Sequence, residues 1–216
     1  MPVNHNVYKQ LIADFEKNNS QLVAVTKYRS IEDVNSLYNY GQRKMGENKV
    51  QEILRKAPLL PENIEWHMIG HLQKNKVSKL LPFVNMIHSV DSLELLLEIE
   101  KQAAKIHKEI LILLQVHISD EEQKYGFDLT SFENVFFDIE KLNLKYSKIV
   151  GLMGMASFTE DQSKIREEFK SLKHLYDQLS KNNSNLSILS MGMSGDYQLA
   201  IESGSNMVRI GSLLFE

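Results

Sequence analysis

Cysteine does not occur in the chain. Its absence removes disulfide frameworks, thiol nucleophiles and cysteine-ligated zinc together, leaving histidines and carboxylates as the only side chains able to hold a metal, and it fits a reducing compartment. Long apolar runs are missing too. No window reaches the ~18 uninterrupted apolar residues of a membrane span, and residues 1–19 carry Asp14 and Glu16 where a secretory leader would be apolar. A cytoplasmic protein that touches no membrane is expected. Neither sign of charge dominates: 25 Lys and Arg face 28 Asp and Glu, interspersed, for a net charge of −3. No basic stripe invites nucleic acid. With only four prolines and ten glycines, and no linker, repeat or low-complexity stretch, the chain reads as one domain over residues 1–216.

What is present is a regular alternation. Residues 3–18 place Val7, Leu11, Ile12 and Phe15 at helical spacing, which predicts an amphipathic helix covering one end of the core. Residues 22–27 form a short apolar run of the kind buried on both faces in a parallel sheet. Ser30 then caps a helix, with Asp33 at its third position, that Gly41 stops. Further strands are expected at 44–48, 64–70, 84–90, 109–118, 148–156, 185–193 and 207–215. Helices should separate them, and the polar loop 119–128 is long enough to reach over a site. Eight strands, seven intervening helices and the additional N-terminal helix predict an α/β fold, a single (β/α)8 TIM barrel. An open doubly wound sheet is the alternative.

In such a barrel the carboxyl end of every strand faces one mouth. Those positions hold Lys27, then Glu47 and Asn48, Gly70 and His71, Ser89 and Asp91, Ser119, Ala156 and Ser157, residues 190–195, and Gly211 with Ser212 inside the last strand. The run Met191-Gly192-Met193-Ser194-Gly195-Asp196 offers glycines, a hydroxyl and a following helix N-terminus. Arg209-Ile210-Gly211-Ser212 offers a second small-residue turn and a guanidinium. Each alone reads more readily as a glycine-rich reversal of the chain, but together with Lys27 they describe a phosphate cradle. An amine beside a phosphate cradle suits an aldehyde that bears a phosphate, and pyridoxal 5'-phosphate (PLP) answers that description. Burial of Lys27 would favour its neutral amine. Arg209 would serve either as a donor to the pyridine nitrogen or as a salt-bridge partner of a nearby carboxylate. His67 and His71 stand at i, i+4 without a third ligand, so no metal is expected. His88 and His117 read as satisfied core histidines, and Met153, Met155, Met191 and Met193 as core filler. Glu47 and Asp91 read as a general base or as helix caps.

The sequence also resembles the pyridoxal phosphate homeostasis protein family, alanine-racemase-like barrels that lack the second domain. The likeness runs through residues 24–27, 46–52, 66–76, 88–91, 151–153, 189–194 and 208–211 in order. It implies a Schiff-base role for Lys27, phosphate contacts for Ser194, Gly211 and Ser212, a pyridine-nitrogen partner in Arg209, and Asn48 close to the cofactor. Met191 is counted with these cofactor-binding residues. Ser212 departs from a common threonine, Tyr28-Arg29-Ser30 from a segment that often holds proline, and the chain stops at Glu216 without the usual short extension. The resemblance implies a monomeric PLP carrier acting in vitamin B6 and amino-acid homeostasis, without catalytic residues and with PLP-dependent apo-enzymes as recipients. The alternatives are a PLP-dependent amino-acid racemase, with Tyr28 or His67 as its second acid/base, and a barrel enzyme that binds a sugar phosphate through a lysine.

Overall fold

Apolar β-prone runs alternate with amphipathic segments along the whole chain, and the computed structural model, which describes residues 3–121 and 125–215, follows that alternation. The elements are α1 (His5–Lys17), β1 (Gln21–Val25), α2 (Ile31–Asn39), β2 (Lys44–Glu47), α3 (Val50–Lys56), β3 (Glu65–Met68), α4 (Val77–Leu80), β4 (Val84–Val90), α5 (Leu93–Ile106) and β5 (Ile110–His117). They continue with β6 (Phe127–Asp128), α6 (Phe132–Glu140), β7 (Ser147–Met153), α7 (Gln162–Ser180), β8 (Ile188–Ser190), α8 (Tyr197–Glu202) and β9 (Met207–Ile210). The strands pair in the order β4-β3-β2-β1-β9-β8-β7-β5, and β4 pairs with β5 to close the ring. Every pairing is parallel. The result is a closed eight-stranded (β/α)8 barrel. The two-residue β6 lies outside it, against Val116 and His117 of β5.

Local chemistry sets the helix starts. Ser30 and Asp33 form the capping box of α2, Ser92 caps α5 through the Leu95 N–H, and Asp161 accepts from Ser163 and Lys164 at the start of α7. The N-terminal helix does not close an end of the core as its sequence predicts. The Tyr8 hydroxyl bonds Gln42 just after α2, and the Phe15 ring meets Tyr197 of α8 edge-on at 5.8 Å, so α1 lies between α2 and α8. That is the place of the eighth helix, which no described residue after β9 forms. Several strands end earlier than their apolar runs suggest: residues 154–156 and 191–193 are irregular, and Gly211 and Ser212 lie beyond β9, where Ser212–Leu214 is a single 3-10 turn. The 72–81 segment is likewise a 3-10 turn, Lys74–Lys76, followed by the one-turn α4.

One large apolar cluster fills the space between strands and helices, and a smaller one of Val23, Met86, Leu113, Met153 and Met207 fills the barrel interior. Above it the interior turns polar. His67, His88, Ser190 and Arg209 each follow a residue of the outer cluster, so the strand alternation points them inward. Gly151 of β7 lets the neighbouring strand approach, since a Cβ there would run into the backbone carbonyl of Ile188. Backbone cannot yield as a side chain does, so Gly151→Ala should destabilise the fold by about 3 kcal/mol. Urea unfolding tests this, and an unchanged midpoint would remove the close approach as a constraint.

Candidate functional site

The strand ends converge on a cavity of about 640 Å3 at the carboxyl-terminal mouth. Lys27, Asn48, Ser194, Arg209, Gly211 and Ser212 all line it. Met191 does not. It is fully buried, its N–H bonds Met207 O and Ser205 Oγ, and its carbonyl accepts from the Ser205 hydroxyl, so neither side chain nor backbone faces the mouth. Lys27 leaves β1 after Thr26 and is exposed in the open mouth rather than buried, which corrects the expectation of burial. Among the described residues its amine has no carboxylate partner. Asn48 leaves β2 with its backbone against Gly70, where a Cβ would stand 2.8 Å from the Asn48 Cα. Its Oδ1 is buried and has no hydrogen-bond partner among the described residues.

The two small-residue turns meet. The Gly211 N–H donates to Ser194 Oγ at 3.1 Å, leaving the Ser194 hydroxyl hydrogen for another acceptor. Gly195 borders open space, so none of the described residues covers its backbone on that side. The helix that follows, α8, is only six residues long, so backbone and hydroxyl groups rather than a helix dipole form this corner. Asp196 also lines it and accepts from the Met193 N–H at 2.6 Å. Burial pushes its carboxyl above the usual range, against that bond and the pull of Arg209.

Arg209 rises from the barrel interior as the floor of the cavity. Its Nη1 donates to Ser190 Oγ at 2.6 Å and to Ser190 O at 3.0 Å, and its Nη2 to Gly154 O at 3.1 Å. No carboxylate lies within ion-pair distance among the described residues, so the salt-bridge alternative does not hold. Burial lowers its pKa to about 10, with Asp196 acting the other way. Below it a hydrogen-bonded chain continues: His88 Nδ1 lies 3.3 Å from Ser190 Oγ, and His88 Nε2 lies 2.9 Å from His67 Nδ1. Burial holds His67 down to about pKa 3, helped by Lys44, and holds His88 well below its ordinary value, helped by His67 and Arg209. With both rings neutral, a consistent assignment has Ser190 O–H donating to His88 Nδ1 and His88 Nε2–H donating to His67 Nδ1. His88 is thus a satisfied core histidine. His117 is not, because its buried Nε2 has no partner among the described residues.

Other positions resolve differently from their sequence reading. His71 lines the mouth, its Nδ1 3.0 Å from Asp91 Oδ2 and its ring against Tyr125 at 4.6 Å. Asp91 therefore neither caps α5 nor stands free. Tyr125 comes from the long loop, of which 122–124 lie outside the described residues. Met155 and Met193 line the cavity, whereas Met153 and Met191 are core. Tyr28 does not line the cavity, and His67 is sealed beneath Arg209. Glu47 is neither base nor cap: it is fully buried and bound to Lys56. Among the described residues no three histidines and carboxylates cluster as a metal site, and no helix is long and apolar enough to cross a membrane.

Residues 3–216 match the family model of the alanine racemase N-terminal domain. A pyridoxal phosphate homeostasis protein of Helicobacter pylori (strain ATCC 700392 / 26695) is 41% identical over 198 residues, 91% of this chain and 87% of that protein. The Homo sapiens protein of the same name is 39% identical over 211 residues, 90% of this chain and 75% of its own. Among solved structures, PipY of Synechococcus elongatus PCC7942 with PLP bound superposes with a TM-score of 0.85 at 28% identity, covering 97% of this chain and 100% of that one. An alanine racemase of Clostridium difficile 630 shares the fold at 16% identity and a TM-score of 0.78, covering 99% of this chain and 56% of its own.

The buried histidines make acid stability testable. A base whose folded pKa is depressed contributes stability fully above its unfolded pKa, here 6.5, and loses it as pH falls toward the folded value, about 3 for His67. Unfolding free energy should therefore drop from pH 6.5 downward, by about 1.4 kcal/mol per pH unit for each buried histidine. Urea titrations at pH 7.5, 6 and 5 read the slope, and His67→Gln should flatten it. Equal slopes in the two proteins would show that His67 is not held neutral.

Proposed function

The chain belongs to the alanine racemase N-terminal-domain family and to the pyridoxal phosphate homeostasis proteins, and from that premise we propose that it binds PLP through a Schiff base on Lys27 and acts as a carrier in vitamin B6 and amino-acid homeostasis. The observation that carries the reading is the single cavity into which Lys27, Asn48, Ser194, Gly211, Ser212 and the buried Arg209 all open. The residues fit the ligand. The orphaned Asn48 Oδ1 accepts a donor, the Ser194 hydroxyl keeps a proton for a phosphate oxygen, and the open side of Gly195 admits an anion against backbone. When bound, the cofactor supplies an aldehyde able to condense with a primary amine. Lys27, exposed and without a carboxylate partner among the described residues, is the amine on offer.

The same residues argue against efficient catalysis. Arg209 carries only donors, so it can offer a ring nitrogen a hydrogen bond but cannot hold a proton there. Without that proton the ring is a poorer electron sink for carbanion chemistry. Racemisation also needs a second acid/base opposite the lysine. Tyr28 and His67 do not open into the cavity. His71, oriented by Asp91, does, and it is the first suspect for any weak residual activity. Recipients of the carried cofactor would be PLP-dependent apo-enzymes.

Borohydride reduction of the protein loaded with PLP, followed by peptide mass spectrometry, should place the fixed adduct on Lys27. Lys27→Ala should remain folded and lose the adduct, and an adduct on Lys49 or Lys76 instead would sink the assignment. Ser194→Ala and Ser212→Ala should each weaken retention by about 1–3 kcal/mol, the range for a buried acceptor left unpaired. Unchanged affinity in both would remove the cradle. Chirality-resolved amino-acid analysis should detect negligible racemisation, and robust turnover lost in Lys27→Ala would overturn the carrier reading.

A further inference from the structure

Two of the residues that open into the cavity are held from behind by a buried ion pair that takes no part in lining it: Asn48 follows Glu47 of the pair, and Lys27 follows Thr26, which both members of the pair hold. Lys56, near the end of α3, and Glu47, the last residue of β2, are both wholly buried, with Lys56 Nζ 2.6 Å from Glu47 Oε1. The same ammonium donates to the backbone carbonyl of Thr26 at 2.8 Å and lies 3.2 Å from Glu52 Oε2, so its three hydrogens have three acceptors. Glu47 Oε1 also accepts from the Thr26 hydroxyl at 2.6 Å. We infer that the Lys56–Glu47 pair is a positioning device which fixes the exits of β1 and β2, and through them Lys27 and Asn48, for the PLP site proposed above.

Three observations lead there. First, the carbonyl that Lys56 grips belongs to the Thr26–Lys27 peptide bond, the plane from which the Lys27 side chain grows. That carbonyl also accepts from the Arg29 N–H at 3.1 Å, so ammonium and backbone turn meet on one oxygen. Second, Glu47 is covalently joined to Asn48, and its own carbonyl accepts from the Ile69 N–H at 2.9 Å, the residue before Gly70, against which the Asn48 backbone rests. Third, the arrangement is poorly made for stability. Glu47 Oε2 is buried with no partner among the described residues, and burial pushes the carboxyl above its usual range despite the hydrogen bonds from Lys56 and Thr26. Well-packed apolar residues of similar volume commonly stabilise such a position at least as well as a buried pair. Charge there gives what an apolar pair cannot: hydrogen bonds of fixed direction to Thr26, on the strand that delivers the lysine.

The test is Glu47→Leu combined with Lys56→Met, which removes both charges together and so leaves none unpaired. In cofactor-free protein, hydrogen exchange at the Arg29 and Ile69 amides reports the two strand exits without reference to PLP. A separate PLP titration reads retention. The double variant should unfold cooperatively with a midpoint near the native one, exchange at Arg29 at least tenfold faster, and hold PLP at least tenfold more weakly. A folded double variant that retains PLP within twofold of native overturns the inference, whatever its exchange rates. Should it fail to fold, Thr26→Val, which removes one hydrogen bond to Glu47 while keeping the shape, takes its place, with threefold weaker retention expected and unchanged retention overturning the inference. Loss of the PLP reading itself would show differently, as a native protein with no borohydride-fixed adduct on Lys27.

Discussion

Closure of eight parallel strands is the constraint from which the site follows. Because β4 pairs with β5 and β1 with β9, no strand can reverse or slip without breaking two ladders, and all eight carboxyl ends are held at one mouth. Residues 27, 48, 194 and 211 are distant in sequence and converge for that reason alone. Closure also gives the cavity a floor. The interior of an eight-stranded barrel is just wide enough for side chains to fill, and here Arg209 fills the level beneath the mouth.

That floor is charged, which is unusual for a barrel interior. A buried guanidinium with no carboxylate within ion-pair distance among the described residues survives because three of its hydrogens meet oxygen acceptors, Ser190 O and Oγ and Gly154 O, and because the groups below it are dipoles rather than charges. Burial keeps His88 and His67 neutral, and a charge on either would repel Arg209 directly or through its neighbour. The chain Arg209–Ser190–His88–His67 is therefore one unit: the neutrality of its lower members permits the charge at its top.

The barrel was legible because strands buried on both faces read as short apolar runs, and because the helices between them carry clear caps and stripes. What misled was the mouth itself. Residues such as Met155, Met191 and Met193 are as apolar as the strands they follow, so residues 148–156 and 185–193 read as longer strands than β7 and β8. The lysine, the asparagine and the two small-residue turns could be read as strand-end positions, since a barrel makes position in the strand equivalent to position in the site. The Lys56–Glu47 pair could not. A lysine in the last turn of a helix ordinarily reads as a solvated residue facing the helix dipole, and nothing in a spacing of nine residues announces that helix and strand fold back on each other. Likewise His67 and His88 are separated by 21 residues and meet only because β3 and β4 are neighbours.

The distribution of burial across the site bears on what kind of binding it supports. Arg209, which floors the cavity, and the Glu47–Lys56 pair behind it are buried, whereas Lys27, the group proposed to hold the ligand covalently, stands exposed at the rim. Closing a catalytic site to water strengthens the interactions inside it and limits side reactions. An exposed lysine is suited to the opposite task, because water or an incoming amine can reach the same bond that retains the ligand. If Lys27 anchors the cofactor as proposed, buried groups beneath it combined with an accessible anchor suit a carrier, which must bind selectively and still give up what it holds.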